Sequence, residues 1–289
     1  MATETTTTRL PAATTLGAAH LTVADLPRAL AFYRDILGFT AVETATGSVT
    51  LSPNGATAPI LTLTEIAGAR PKPPRTTGLY HVAILLPTRL DLGRTLRRLV
   101  ESDYPLQGAS DHLVSEALYL ADPDGNGLEI YRDRPREQWR FSGDQIAMDS
   151  LPLDLRALLR EALADGQEWA GIAPGTRIGH VHLQVADLDR AISFYRDTLG
   201  FDLMARMGNS AAFLSAGGYH HHIGLNTWGT AGAPQAPADA VGLRSFDILL
   251  PDSADFPAVA NRVGAGVTSA GAFETRDPSG TVARLLTNN

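Results

Sequence analysis

Short runs with two-residue apolar alternation give way, in a recurring order, to stretches with helical spacing. Residues 16–23, LGAAHLTV, read as a strand; Asp25 then stands where a helix N-cap is wanted, and Leu, Ala, Phe and Tyr follow at helical spacing until Gly38 ends the run. The same order returns from Ile178, with IGHVHLQV, Asp187, a helical pattern and Gly200. Residues 23–39, VADLPRALAFYRDILGF, and 185–201, VADLDRAISFYRDTLGF, differ only at Pro27/Asp189, Leu30/Ile192, Ala31/Ser193 and Ile36/Thr198, so the chain contains a duplication. SVTLS and PILTLTEI follow the first helix, AAFLSA and HHHIGLNTW the second, with Gly and Pro between them, and each unit reads βαβββ.

Two further segments share this order with weaker identity. One runs GLYHVAILLP, a helix DLGRTLRRLVES, then EALYLADPDGNGLEIYRD; the other runs GLRSFDILLP, a helix around DFPAVANRV, then FETRDPSGTVARLLT. In DPDGNG (Asp122–Gly127) and DPSG (Asp277–Gly280), Pro presets φ and Gly supplies positive φ, so both are turns entering a last strand. The expected organisation is a disordered tail at 1–13, modules at 14–70, 76–135, 176–230 and 241–289, and a linker at 136–175. Within that linker LPLDLRALLREALADG, from Leu151, predicts a short amphipathic helix, and the segment reads as a connector packed on the surface.

Composition narrows the chemistry. The chain has 289 residues, 44% hydrophobic and 19% charged, with 27 Gly and 18 Pro, which describes a turn-rich globular protein large enough for two domains. With 24 basic against 31 acidic residues the net charge is −7, and no basic run is present to meet phosphate backbones, so nucleic acid is not an expected partner. Zero cysteines exclude disulfides, thiolate metal sites and cysteine nucleophiles, leaving His, Asp and Glu to hold any metal. The Thr-rich start carries Glu4 and lacks a signal-peptide core, and no stretch is long enough to span a bilayer, so the expected compartment is the cytoplasm.

Four βαβββ modules carrying VADLxRAxxFYRDxLGF and DPDGNGLEIY resemble the vicinal oxygen chelate superfamily, the group of glyoxalases, bleomycin resistance proteins and extradiol dioxygenases. Within it, GLYHVAILLP, SEALYLADPDGNGLEIY, IGHVHLQV and GGYHHHIGLNTW closely resemble the four-module catechol 2,3-dioxygenases. The resemblance implies an α+β fold in which paired modules form half-open sheet barrels, and a metal whose ligands come from first and last strands. It further implies Fe(II), held by two His and one carboxylate, with dioxygen and a small aromatic diol as substrates.

Counting by the family's spacing, the first-strand ligand position falls on His180 in module three, Ala18 in module one, His81 in module two and Ser245 in module four. The last-strand position falls on Glu129 in module two and Arg284 in module four, so modules one and four have lost their ligands. Pairing one with two and three with four would leave each barrel with an incomplete set. Pairing 2+3 and 1+4 brings His81, Glu129 and His180 together as the 2-His-1-carboxylate face suited to Fe(II), with open positions for substrate and oxygen.

The resemblance also implies an acid–base histidine on the third module's last strand, placed at His222, and a tyrosine that hydrogen-bonds the bound substrate oxygen, placed at Tyr119. Strand alternation would set His220 and His222 on one face and His221 on the other. His112 lies near the family's additional active-site histidine, displaced by about two residues. His20 and His182 hold the same strand position in the two copies and read as lying beside the ligands or at the surface. Trp228, Phe194, Tyr195, Phe32 and Tyr33 read as core, with Trp228 near enough to His222 to wall a pocket.

The function expected is an Fe(II)-dependent extradiol dioxygenase opening a catechol. Two alternatives use the same scaffold: a glyoxalase-like isomerase or resistance thiol transferase with Mn, Zn or Ni, and a non-catalytic protein that binds a small aromatic ligand. The ligand-poor barrel of modules one and four would serve as structural support or as a homodimer surface.

Overall fold

The computed structural model describes residues 9–143, 145–251, 256–263 and 272–287. Along the chain, β1 (Thr15–Val23), α1 (Leu26–Tyr33), β2 (Thr40–Ala45), β3 (Ser48–Ser52) and β4 (Leu61–Glu65) form the first unit. The second has β5 (Gly78–Leu85), α2 (Arg89–Glu101), β6 (Gly108–Asp111), β7 (Ser115–Ala121) and β8 (Gly127–Asp133). The connecting segment carries a small ribbon of β9 (Phe141–Ser142) and β10 (Gln145–Ile146), then β11 (Leu151–Pro152) and α3 (Leu155–Asp165). The third unit has β12 (Arg177–Gln184), α4 (Leu188–Ser193), β13 (Asp202–Met207), β14 (Ala211–Ser215) and β15 (Ile223–Asn226). The fourth contributes β16 (Gly242–Leu250), α5 (Phe256–Val263), β17 (Phe273–Arg276) and β18 (Val282–Thr287).

These strands build two curled sheets. One has seven strands in the order β17-β18-β16-β1-β4-β3-β2, the other nine in the order β11-β6-β7-β8-β5-β12-β15-β14-β13. Each sheet is closed at its middle by two first strands running antiparallel, β1 with β16 and β5 with β12. Units one and four therefore share a sheet, and units two and three share the other, as the ligand inventory requires. The antiparallel first strands are buried, with Val82, Ala83, Ile84, Val181 and Leu183 fully inaccessible, so strand pairing and core formation coincide.

The repeated helices begin as their sequence predicts. Asp25 Oδ1 accepts from the Arg28 amide at 2.8 Å and Asp187 Oδ1 from the Arg190 amide at 3.0 Å, each satisfying an amide that the helix leaves unpaired. The second copy then continues through a wider turn, Phe194–Leu199, before Gly200.

One expectation is corrected. Of the tail placed at 1–13, residues 1–8 lie outside the described residues, but Leu10 is buried and its amide donates to the Gly200 carbonyl at 2.9 Å, because an apolar side chain there completes the core beside the third unit. The connector carries the amphipathic helix that its sequence predicts. Its helix α3 buries Leu158 and Ala162 against α2, where the absence of a side chain on Gly93 allows the Leu158 carbonyl to come within 2.8 Å of where a Cβ would be.

Candidate active site

Three adjacent strands set the geometry. Parallel β5 and β8 place Ala83 opposite Glu129, and antiparallel β12 places His180 opposite Ala83. Residues in register across a sheet share a face, and His81 lies two residues before Ala83 on that same face. The small Ala83 methyl leaves the carboxylate and the two imidazoles room to converge above it. Glu129 Oε2 is 2.9 Å from His81 Nε2 and 3.1 Å from His180 Nε2, and the two Nε2 atoms are 3.3 Å apart.

All three side chains are buried, and among the described residues they form the group of His and carboxylate atoms able to hold a metal ion, within 4.8 Å of one another. The spacing is itself a test of fit. Three donors on one face of an octahedron, each about 2.1 Å from an ion, stand about 3.0 Å apart. The observed 2.9, 3.1 and 3.3 Å match that face.

Electrostatics favour the ligating forms. Burial alone would raise the Glu129 carboxyl, but the His180 and His81 rings against it outweigh burial and hold it well below the usual carboxylate range. Burial lowers His180 from 6.5 to about 4, with Glu129 opposing the shift. A neutral imidazole beside an ionised carboxylate is the state that can donate lone pairs to a cation.

A cavity of about 400 Å³ opens over this triad, lined by His81, Glu129 and His180 together with Tyr119, His112 and His221. Tyr119 Oη and His112 Nε2 are 2.6 Å apart, and the other His112 nitrogen lies 2.7 Å from the Asp149 carbonyl. Burial and then the nearby Glu129 charge raise the Tyr119 phenol well above 10, keeping it protonated and able to donate. His112 and Tyr119 are thus brought to the site as one hydrogen-bonded pair.

His222 does not line the cavity. Its Nδ1 is taken up within the third unit, 3.2 Å from Ser215 Oγ and accepting from the Ala216 amide at 3.2 Å. Burial lowers this ring to about 3, and it packs near Phe201 and Tyr219. The neighbouring His221 faces the site instead, its ring centroid 4.0 Å from that of His180. The reason is local: β15 begins only at Ile223, so the three histidines precede the strand and its alternation does not fix which of them turns inward.

The chain matches the family model for the Glyoxalase/Bleomycin resistance protein/Dioxygenase superfamily over residues 15–130 and 177–284. It belongs to that superfamily. It is 46% identical over 254 residues to the catechol-2,3-dioxygenase of Bacillus subtilis (strain 168), a match spanning 86% of this chain and 87% of that one. It is an enzyme of the dioxygenase-like branch. Its fold is shared by a crystal structure from Bacillus subtilis subsp. subtilis str. 168, at TM-score 0.63 and 17% identity, covering 97% of this chain and 86% of the other. Glyoxalase I from Zea mays is a further neighbour, at TM-score 0.58 and 16% identity, covering 96% and 93%.

In this superfamily member the second sheet places different chemistry at the equivalent positions. Arg284 on β18 stands opposite Asp247 on β16, as Glu129 stands opposite Ala83. Arg284 Nη1 lies 3.1 Å from His20 Nε2, and Asp247 Oδ1 is 3.4 Å from both His20 Nε2 and Arg284 Nε. A guanidinium has no lone pair for a metal, so this sheet holds an ion-paired cluster in place of ligands.

The remaining walls include Trp228 and His182, which the sequence singled out, and Tyr80, Phe213 and the connector residues, which it did not. Tyr80, Phe213 and Trp228 line the cavity, joined by Met148, Asp149 and Ser150 from the connector. His182 also lines it, with Nε2 3.0 Å from the Asn226 amide nitrogen; burial, then the His81 ring, lower it well below 6.5. His20 lies partly exposed beside Arg284 and Asp247, so the paired histidines of the two copies have separate environments. Among the described residues, no helix is long and apolar enough to cross a membrane.

Proposed function

We propose that the protein is an Fe(II)-dependent extradiol dioxygenase that opens a catechol or substituted catechol with dioxygen, using His81, Glu129 and His180 to hold the iron. The observation that carries this reading is the buried facial arrangement of two imidazoles and one carboxylate at mutual distances of 2.9–3.3 Å beneath a cavity of small-molecule size. The likeness to a catechol-2,3-dioxygenase favours the same chemistry. Bound Fe(II) would supply Lewis acidity toward two vicinal hydroxyls and a redox partner for dioxygen.

The chain's own residues do the rest. Tyr80, Phe213 and Trp228 offer apolar faces to a planar ring. Tyr119, whose hydroxyl donates to His112 Nε2 because the other His112 nitrogen donates to the Asp149 carbonyl, offers its oxygen to accept from a substrate hydroxyl at the mouth of the triad. His221 takes and returns the substrate proton, the role that the sequence placed at His222. Burial and the His180 ring lower His221 well below 6.5, so the free ring is neutral and able to accept.

The test is oxygen uptake with catechol by protein purified without air and reconstituted with Fe(II), beside His180→Ala. Uptake with a yellow ring-opened product, absent in the variant, is the expected result. Stoichiometric metal without uptake across a catechol panel would move the reading to an isomerase or transferase. Absence of metal binding would make it a ligand-binding protein. His221→Ala should retain metal and lose about 100-fold or more in turnover, whereas His222→Ala should turn over at near the unaltered rate.

A further inference from the structure

Behind His221 lies a chain of polar atoms that the reaction as described does not use. His221 Nδ1 is 2.8 Å from His220 Nδ1, and His220 Nε2 is 2.8 Å from Asp133 Oδ1. The same carboxylate oxygen accepts from Tyr219 Oη at 3.2 Å, and Tyr219 Oη is 2.8 Å from Tyr131 Oη. Tyr131 reaches this place only because residue 179 is glycine: a Cβ there would lie 1.8 Å from the phenol oxygen. The His220 side chain is fully inaccessible, while that of Asp133 is 23% exposed at the end of β8, four residues beyond Glu129.

We propose that Asp133 and His220 are positioning residues that fix which nitrogen of His221 carries hydrogen. The argument is a donor count. An ionised carboxylate only accepts, so His220 Nε2 must bear the hydrogen of that contact. In its neutral form His220 carries one N–H, and its Nδ1 is then bare. Two Nδ1 atoms at 2.8 Å need one donor between them, and His221 must supply it. His221 is thereby held as its Nδ1–H form, and Nε2, the nitrogen left for the cavity, keeps its lone pair. This is the form a base requires: a substrate O–H bond breaks, an Nε2–H bond forms, and the oxygen keeps the electron pair. The opposite tautomer would present a hydrogen to the substrate hydroxyl.

This inference rests on the assignment of His221 as the acid–base group, and its test does not depend on turnover. Long-range proton–nitrogen NMR of the full chain labelled in histidine nitrogens, metal-free and loaded with diamagnetic Zn(II), reads the tautomer directly, with His221→Gln giving the assignment. The expected result is hydrogen on Nδ1 and a bare Nε2; hydrogen on Nε2 in the unaltered protein would overturn the proposal.

Asp133→Leu removes the acceptor and should release a mixture of His221 tautomers, lowering kcat about 10-fold at unchanged KM and metal content. Asp133→Asn, which can still offer an oxygen at that position, should restore the single tautomer and most of kcat. An unchanged tautomer in a folded Asp133→Leu protein would also overturn it. If Asp133→Leu does not fold, the unaltered protein still decides. An Nδ1–H His221 in a protein that takes up no oxygen would uphold this inference and defeat only the dioxygenase reading.

Discussion

Tyr33 Oη donates to Asp122 Oδ2 at 3.1 Å, joining a helix of the first unit to a turn of the second. The duplicate repeats it: Tyr195 Oη donates to Asp277 Oδ2, also at 3.1 Å, joining the third unit to the fourth. Strand pairing binds units one to four and two to three, so these tyrosines tie the two sheets to each other across the units that strands leave apart. The repeated FYRD and the DPDGNG and DPSG turns are therefore two halves of one contact. The turn carboxylates also accept from backbone amides, Asp122 from Asp124 and Asn126 at 2.9 and 2.8 Å, Asp277 from Ser279 and Thr281 at 2.8 and 2.9 Å.

Tyr33→Phe should lower unfolding free energy by about 1 kcal/mol, since the phenol bond is lost while the amide bonds to Asp122 remain. Tyr195→Phe should do the same, and the double variant should lose close to the sum, because the two contacts share no partner. Urea unfolding reads all three, and turnover should stay unchanged.

Glu129→Gln replaces the anionic donor with a neutral amide. Metal affinity should fall by more than about 100-fold, beyond the effect of changing an outer hydrogen-bond partner. Chelator treatment should lower the Tm of the unaltered protein, because an ion bound only to the folded state stabilises it by mass action, and should leave the Tm of the variant where it was. Metal analysis and thermal scans with and without chelator provide the readout.

Tyr119→Phe removes the phenol that His112 orients. A hydrogen bond accepted from a substrate hydroxyl contributes about 0.5–1.5 kcal/mol, so kcat/KM should fall about 2- to 10-fold with metal content intact. Steady-state oxygen uptake beside iron analysis measures this. Ala83→Val should instead reduce metal content, by placing branched methyls between Glu129 and His180.

The metal-free protein should lose stability as pH falls below 6.5. In the folded state burial holds His180 at about 4 and His222 at about 3, while in the unfolded chain both return to about 6.5. Between those values the unfolded chain binds the extra protons, so protonation favours unfolding. Each of the two histidines should contribute on the order of 1 kcal/mol per pH unit to that slope, down to its folded value. Urea titrations of chelator-treated protein at stepped pH test this, and His222→Gln should flatten the curve.

The duplicated VADL and FYRD segments determined the strand and helix order by themselves, because alternation, an N-capping aspartate and a terminal glycine act over a few neighbouring residues. The resemblance then picked out His81, Glu129 and His180, which stand at fixed offsets from those local signals. Their lopsided distribution over the modules also pointed to the 2+3 and 1+4 pairing. What tertiary structure alone decided is side-chain direction outside regular strands and contacts between distant segments. His221 rather than His222 turned inward because the HHH run precedes β15, where two-residue alternation has no force. The connector entered the cavity through Met148, Asp149 and Ser150, and Leu10 entered the core, because neither position carries a local pattern. The Asp133–His220–His221 chain joins β8 to a loop 87 residues away, and a spacing that long is set by packing of the sheet, not by any periodicity of the sequence.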